Sequence, residues 1–270
     1  MSTSYDQIEA VNWSTLVHLA TSAKLLEWRQ THPREETRAL RVGTALHCAI
    51  LEPARFAREY LAAPDFGDGR TKAAKEAKAA WEASRDPAAV VIDADEHELV
   101  VRCAAAAREH PAVRDLLRGG CVEEVLTWTD ETTGIACKGR VDYLAPGYLL
   151  DLKSTRAETL RQLASEIAGH LYHGQLAFYL DGAIARSRLD ALASQVLIVG
   201  VQTVEPYDVI PVRLMPEDLE RGRALYRDLL RRYAECQAAQ WWPGLAPGVV
   251  NLSLPEWTRG GSTQEQGDEW

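Results

Sequence analysis

The chain has 270 residues, 46% of them hydrophobic and 26% charged, with a formal net charge of −9 at pH 7. That length suits one large domain, and no apolar run reaches the ~18 residues of a membrane span, so no membrane association is expected. Five cysteines (Cys48, Cys103, Cys121, Cys137 and Cys236), odd in number and never in a CxxC pair, argue against a disulfide framework, a structural zinc site or a cysteine-held iron–sulfur cluster. Met1 to Asp6 lacks the basic stretch and apolar core of a signal peptide, which points to the cytoplasm. The acidic balance lowers the expectation of nucleic-acid binding without removing it, because carboxylates gathered around metal ions can sit beside a local basic strip.

Ser14, ahead of Thr15-Leu16-Val17, reads as the N-cap of a helix running to about Arg29, with Pro33 as its stop. Residues 36–60 read as a second helix, with Val42, Leu46, Ala49 and Ile50 at helical spacing and Pro53 opening a further turn. The glycine- and aspartate-rich 64–71 is a loop, "KAAKEAKAAWEAS" a helix, and 93–109 another helix, capped by Asp93 or Asp95 and stopped by Pro111. Residues 1–118 thus form a helical N-terminal part.

The character changes at Cys121. "VEEVLTWTD", "IACKGRVDYL" and "YLLDLKST" are three close-set strands joined by short turns, the first with Gly134 in a left-handed position, and an antiparallel meander follows. Residues 158–187 read as a long helix open to a break near Gly169. "ASQVLIVGVQT" is apolar enough for a central strand, and Pro211 sends "YDVIPVRL" to an edge. A last helix covers about 216–239, and the polar, glycine-containing tail after Trp257 is expected to be disordered. The sum is an α/β fold with a mixed central sheet flanked by helices: one domain over 1–258, with its α/β core in 119–240 and a tail at 259–270.

The chemistry concentrates in "GRVDYLAPGYLLDLKST". Asp151 and Lys153 are two apart on one strand and so project to the same face. The turn before them brings Asp142 close. Two carboxylates repel unless a cation sits between them, and oxygen ligands of this kind suit Mg²⁺, or Mn²⁺. The embedding of Asp151 in "YLLDLK" makes a bare charge there costly, so a site outweighs a solvated Asp–Lys pair.

At these residues the chain resembles the PD-(D/E)XK (restriction-endonuclease-like) nuclease superfamily, with Val141-Asp142 in place of Pro-Asp. "HGQLAFY" resembles the QxxxY helix of its RecB-like branch, which puts Gln175 and Tyr179 on one helix face. "GTALHCAILEP" resembles the N-terminal motif of that branch, whose histidine is a metal ligand; His47 is the match. "VNWSTLVHLATSAK", "TWTDETTGIACKGRVDYL", "HLYHGQLAFYLDG" and "WWPG" extend the likeness to the exodeoxyribonuclease VIII (RecE-type) exonuclease domain, from about Tyr5 to about Trp257.

The resemblance implies a Mg²⁺-dependent exodeoxyribonuclease. His47, Asp142, Asp151 and the backbone carbonyl of Leu152 would hold metal, and Lys153 would act on the attacking water. Relatives carry a glutamate at the start of the first strand, for which Glu123 is preferred over Glu124. Gln175 and Tyr179, with Arg140 and Lys138 beside Asp142, are the candidate DNA contacts. Also implied are 5′–3′ action on duplex DNA ends, a single-strand annealing protein as partner in phage-type recombination, and a homo-oligomer, a tetramer in the family. Another endonuclease or repair nuclease of the superfamily, and a non-catalytic DNA-binding or assembly protein, are the alternatives. Polarity, oligomeric state and the number of metal ions are not legible in the residues.

Overall fold

The computed structural model describes residues 4–246 and 248–254, so the expected disorder of the tail lies outside the described residues. The N-terminal stretch holds α1 (Trp13–Leu16), α2 (Ala23–Thr31), α3 (Arg38–Leu51), α4 (Pro53–Glu59), α5 (Lys72–Ser84), α6 (Ala94–Glu109) and α7 (Pro111–Leu116). Short strands β1 (Tyr60–Ala62) and β2 (Val90–Ile92) pair in parallel among them.

Two helix boundaries correct the sequence reading. A single helix from Ser14 to Arg29 does not form. Asn12, not Ser14, is the N-cap: its Oδ1 accepts the Thr15 N–H at 2.9 Å, and the Ser14 hydroxyl donates to the same oxygen at 2.9 Å. The chain then tightens into a 3₁₀ turn over Val17–Ala20, and Ser22, in extended backbone, starts α2 afresh by accepting the Leu25 N–H at 3.1 Å. The helix expected over 36–60 divides at Glu52–Pro53, because proline has no N–H to continue α3 but is preformed for the first position of α4.

Beyond α7 the chain forms β3 (Cys121–Thr129), β4 (Ala136–Ala145), β5 (Tyr148–Thr155), α8 (Leu160–Gly169), α9 (Tyr172–Ala185), β6 (Gln195–Gln202), β7 (Val209–Arg213) and α10 (Pro216–Ala239). The break expected near Gly169 falls at Leu171, whose φ of 58° is left-handed. The five strands order as β3-β4-β5-β6-β7. The first three form the expected antiparallel meander; β5 and β6 are parallel, which requires the α8–α9 crossover between them; β7 is antiparallel and lies at the edge with Pro211.

One core packs α9, α10 and the first helices on one face of the sheet, through Trp13, Leu16, Phe178, Ile198 and Leu229. A second packs α3, α4 and α6 on the other face, through Leu46, Ile50, Val100, Leu150 and Val199. The sheet is thus the middle layer of a mixed α/β sandwich, as the alternation of elements predicts.

Candidate active site

Strand register puts three carboxylates in one row. The pairs Val122↔Tyr143 and Glu124↔Val141 bracket Glu123 and place it opposite Asp142. The pairing of Tyr143 with Leu150 places Asp142, one step on, opposite Asp151. At this level β4 and β5 cease to pair, and the Leu152 N–H donates instead to Asp142 Oδ2 at 2.7 Å. A strand residue's N–H and C=O leave by the same edge, so the Leu152 carbonyl faces the same gap.

Strands β3 and β4 also change face at this row. Leu126 of β3 and Val141 of β4 pack with α9 and α10, whereas Val122 and Tyr143, an even number of residues away on each strand, pack with α3 and α6. The left-handed backbone of Glu123, φ 52°, produces the switch on β3 and turns its carboxylate toward Asp142. Glu124 points elsewhere and pairs with Arg188. Of the two glutamates, then, Glu123 is the one beside the aspartates.

His47 arrives from α3, with its Nδ1 3.3 Å from Asp142 Oδ2. Candidate ligand atoms of His47, Glu123 and Asp142 all lie within 4.8 Å of one another. Asp151 is not in that set; its Oδ2 lies 2.6 Å from Lys153 Nζ, and it is only 2% exposed. The ammonium of Lys153 also sits over the ring of Tyr172, 4.4 Å from its centroid. Tyr172 opens α9, one turn before Gln175 and on its face, and the QxxxY spacing extended back by three residues would have found it.

Burial disfavours every charge here. It raises Asp151 to about 6. It also raises Glu123, against the pull of Arg140, whose Nε lies 2.7 Å away. Burial opposes the charged form of Asp142 as well, but His47, Lys153 and the Leu152 amide outweigh it and hold that carboxyl below its ordinary value. His47 is raised, since Asp142 beside it outweighs its own burial. Lys153 is raised by Asp151 and Asp142 in spite of burial. Three carboxylates and an imidazole converging in a largely buried place suit a hard divalent cation bound by carboxylates and one imidazole.

Gln175 Nε2 donates to the Tyr179 hydroxyl at 3.2 Å, and both side chains line the same cleft of about 470 Å³ as the acids, His47, Lys153 and Arg140. The Tyr179 ring lies against Gly139, where a Cβ would approach it to 2.8 Å, so the glycine between Lys138 and Arg140 is a packing requirement. Lys138 is not brought to the cleft: it is buried, and its Nζ donates to the carbonyls of Tyr5 and Ile8, each at 2.9 Å. Its charge is spent on pinning the N-terminal segment, a partner about 130 positions away that no local pattern announces. Arg140 does reach the cleft, but as the partner of Glu123 and, at 5.3 Å, of the Tyr5 ring.

A family model described as PDDEXK-like domain of unknown function (DUF3799) matches residues 13–250. Among solved structures, a protein from Eubacterium rectale provisionally named an exonuclease superposes with a TM-score of 0.60 over 89% of this chain and 88% of its own, at 12% identity. At that identity the likeness is one of fold. The crystal structure of SSO0001 matches over 51% of this chain and 67% of its own at 17% identity, with a TM-score of 0.29, too low to carry an argument. No curated protein sequence matches.

Proposed function

The chain belongs to the PDDEXK-like domain family, and from that premise we propose that it is a metal-dependent deoxyribonuclease hydrolysing DNA phosphodiester bonds. The observation that carries the reading is the row of Glu123, Asp142 and Asp151 across three strands, with His47 reaching it from α3 and Lys153 beside it. His47, Glu123 and Asp142 would hold a Mg²⁺ or Mn²⁺ ion, with Asp151 and the Leu152 carbonyl completing the oxygen set. When bound, the cation supplies charge neutralisation at the phosphate and a more acidic water.

The chain's own groups do the rest. Lys153 is held by Asp151 and the Tyr172 ring in one place, where its ammonium orients the attacking water and faces the charge that develops on phosphorus. Asp142 is fixed by the Leu152 amide and keeps His47 oriented through its Nδ1. Gln175 and Tyr179, hydrogen-bonded to each other in the cleft wall, are placed to meet the strand being cut.

In its finer form the reading is a 5′–3′ exonuclease on double-stranded ends that works with a single-strand annealing protein in phage-type recombination, as the sequence likeness implies. Digestion of 5′- or 3′-labelled linear duplex and of closed circular DNA tests it. Mg²⁺ should support release of nucleotides from linear ends and leave closed circles intact, and 5′ label should appear first. Asp142→Asn should lose activity by about a thousandfold, equivalent to roughly 4 kcal/mol of transition-state stabilisation. Cutting that survives a chelator, or an Asp142→Asn variant as fast as wild type, removes the nuclease reading. Cutting of closed circles keeps it but makes the enzyme an endonuclease.

A further inference from the structure

Three cavities join along the carboxyl end of β5. The cleft of the candidate site shares Ala39 and Ser154 with a neighbouring cavity of about 570 Å³, and that one shares Arg156 and Glu166 with a third of about 390 Å³. A continuous surface therefore leads from Lys153 through Ser154 and Thr155 to Arg156, just past β5, and to Arg161 in the first turn of α8.

The charges along this surface change character with distance from the row of acids. Within the cleft every cation has a carboxylate: Arg55 has Glu52, Arg140 has Glu123 and Lys153 has Asp151. Elsewhere on this acidic chain arginines are also commonly tied up, as Arg102, Arg188 and Arg231 are by Glu98, Glu124 and Asp228. Other arginines, among them Arg70, Arg108 and Arg213, stand outside such pairs among the described residues, but Arg156 and Arg161 are the ones that line this surface. Both are exposed, and among the described residues neither forms an ion pair. Glu166, the acid in the wall beside them, accepts the Thr155 hydroxyl instead, at 2.5 Å.

Two free guanidinium groups at the open end of a carboxylate-rich cleft fit a ligand that brings its own negative charge in repeating units. Guanidinium forks match phosphate oxygens, and contacts of that kind position a nucleic acid without reading its sequence. We infer that Arg156 and Arg161 grip backbone phosphates of the DNA strand next to the scissile bond, so that the duplex lies over the β5–α8 end of the cleft. The identity of the ligand as DNA rests on the nuclease reading; the grip itself rests on the two arginines and the continuous surface.

Fluorescence anisotropy with a labelled duplex tests the grip, using Ca²⁺ as the only divalent ion and checking that the duplex stays intact. Wild type, Arg156→Ala/Arg161→Ala, Arg156→Lys/Arg161→Lys and, as a control, Arg231→Ala are compared across a range of NaCl concentrations. The double alanine variant should bind more weakly and lower the slope of log K against log salt by roughly two, about 0.9 for each phosphate no longer neutralised. The double lysine variant should recover most of that slope, and Arg231→Ala should match wild type. In cleavage the double alanine variant should raise KM and keep kcat. A double alanine variant with the wild-type slope and affinity, or a wild type that does not bind duplex, overturns the inference even if the chain cuts DNA. A chain that binds through these arginines yet cuts nothing with Mg²⁺ or Mn²⁺ leaves the grip standing and removes the nuclease reading instead.

Discussion

At the cleft, neighbours decide what burial does to each acid, and this sets how a cation competes with protons. Asp151 titrates near 6 and Glu123 is also raised, chiefly by burial, while His47 is raised by Asp142 in spite of its burial. A cation needs the imidazole neutral and the carboxylates ionised. Because all three of these groups take up protons at a higher pH than their ordinary values, acidification empties the site early. Apparent Mn²⁺ affinity measured by calorimetry should fall more than about tenfold between pH ~7.5 and pH ~5.5, with proton release on binding that grows as the pH falls. His47→Asn should bind more weakly at the higher pH and show a flatter profile; an unchanged profile would place the imidazole outside the metal site. The sequence exposed most of this cluster, since the two-residue period of a strand joins Asp151 to Lys153 and a short turn brings up Asp142. It left Glu123 and Glu124 nearly balanced, because the choice depends on a left-handed φ that a glutamate does not announce. It misplaced Lys138 because the carbonyls that capture it belong to Tyr5 and Ile8, far away in sequence.

Helices hold the site in place through two kinds of contact. One is ionic: Glu96 of α6 is fully buried, and its carboxylate accepts two bonds from Arg41 of α3, at 2.6 and 2.8 Å, and one from Arg38 at 3.3 Å. The hydrogen bonds from Arg41 hold the Glu96 carboxyl below its usual range, against burial. A depressed folded value means that the clamp stabilises the fold above the unfolded value of about 4.5 and is lost as pH falls through the folded one. Glu96→Gln should therefore lower the melting temperature by several degrees at pH ~7, and the gap to wild type should narrow as the pH is taken below the unfolded value of about 4.5; a constant gap would mean that shape rather than charge is at stake. The other contact is steric. A Cβ on Gly222 of α10 would stand 2.2 Å from the His173 carbonyl oxygen of α9. Gly222→Ala should thus cost about 1–3 kcal/mol in urea unfolding, by forcing apart the helix that carries Gln175 and Tyr179. Periodicity located most of these helices, but it could not separate α1 from α2. Val17 to Ala20 keep an apolar pattern across a turn that Asn12 and Ser22, as competing caps, divide.

For the molecule as a whole, the sheet that organises both cores also carries the row of acids, so folding and metal binding are linked. His47 comes from the α3 side of the sheet and Lys153 contacts Tyr172 of α9, so the site forms only when both layers are in place on β3, β4 and β5. Helix and strand spacing in the sequence disclosed those layers and the edge position of β7. The parallel pairing of β5 with β6 had to come from the fold, since only the α8–α9 crossover defines it. Without a cation, Glu123 and Asp142 face each other as like charges in a partly buried place, which opposes the fold. An ion that binds only the folded chain adds about 2.7 kcal/mol at a hundred times its Kd. For a chain of this size that corresponds to a rise of roughly 5–10 °C in Tm. Thermal melts of wild type in saturating Mg²⁺ and in EDTA should differ by about that amount. Glu123→Gln removes one of the facing charges and one ligand, while the Arg140 it frees is more than half exposed, with 53% of its side chain open to solvent. That variant should melt in EDTA at or above wild type and gain much less from Mg²⁺. An equal Mg²⁺ shift in both proteins would mean that the stabilising ion binds away from this row.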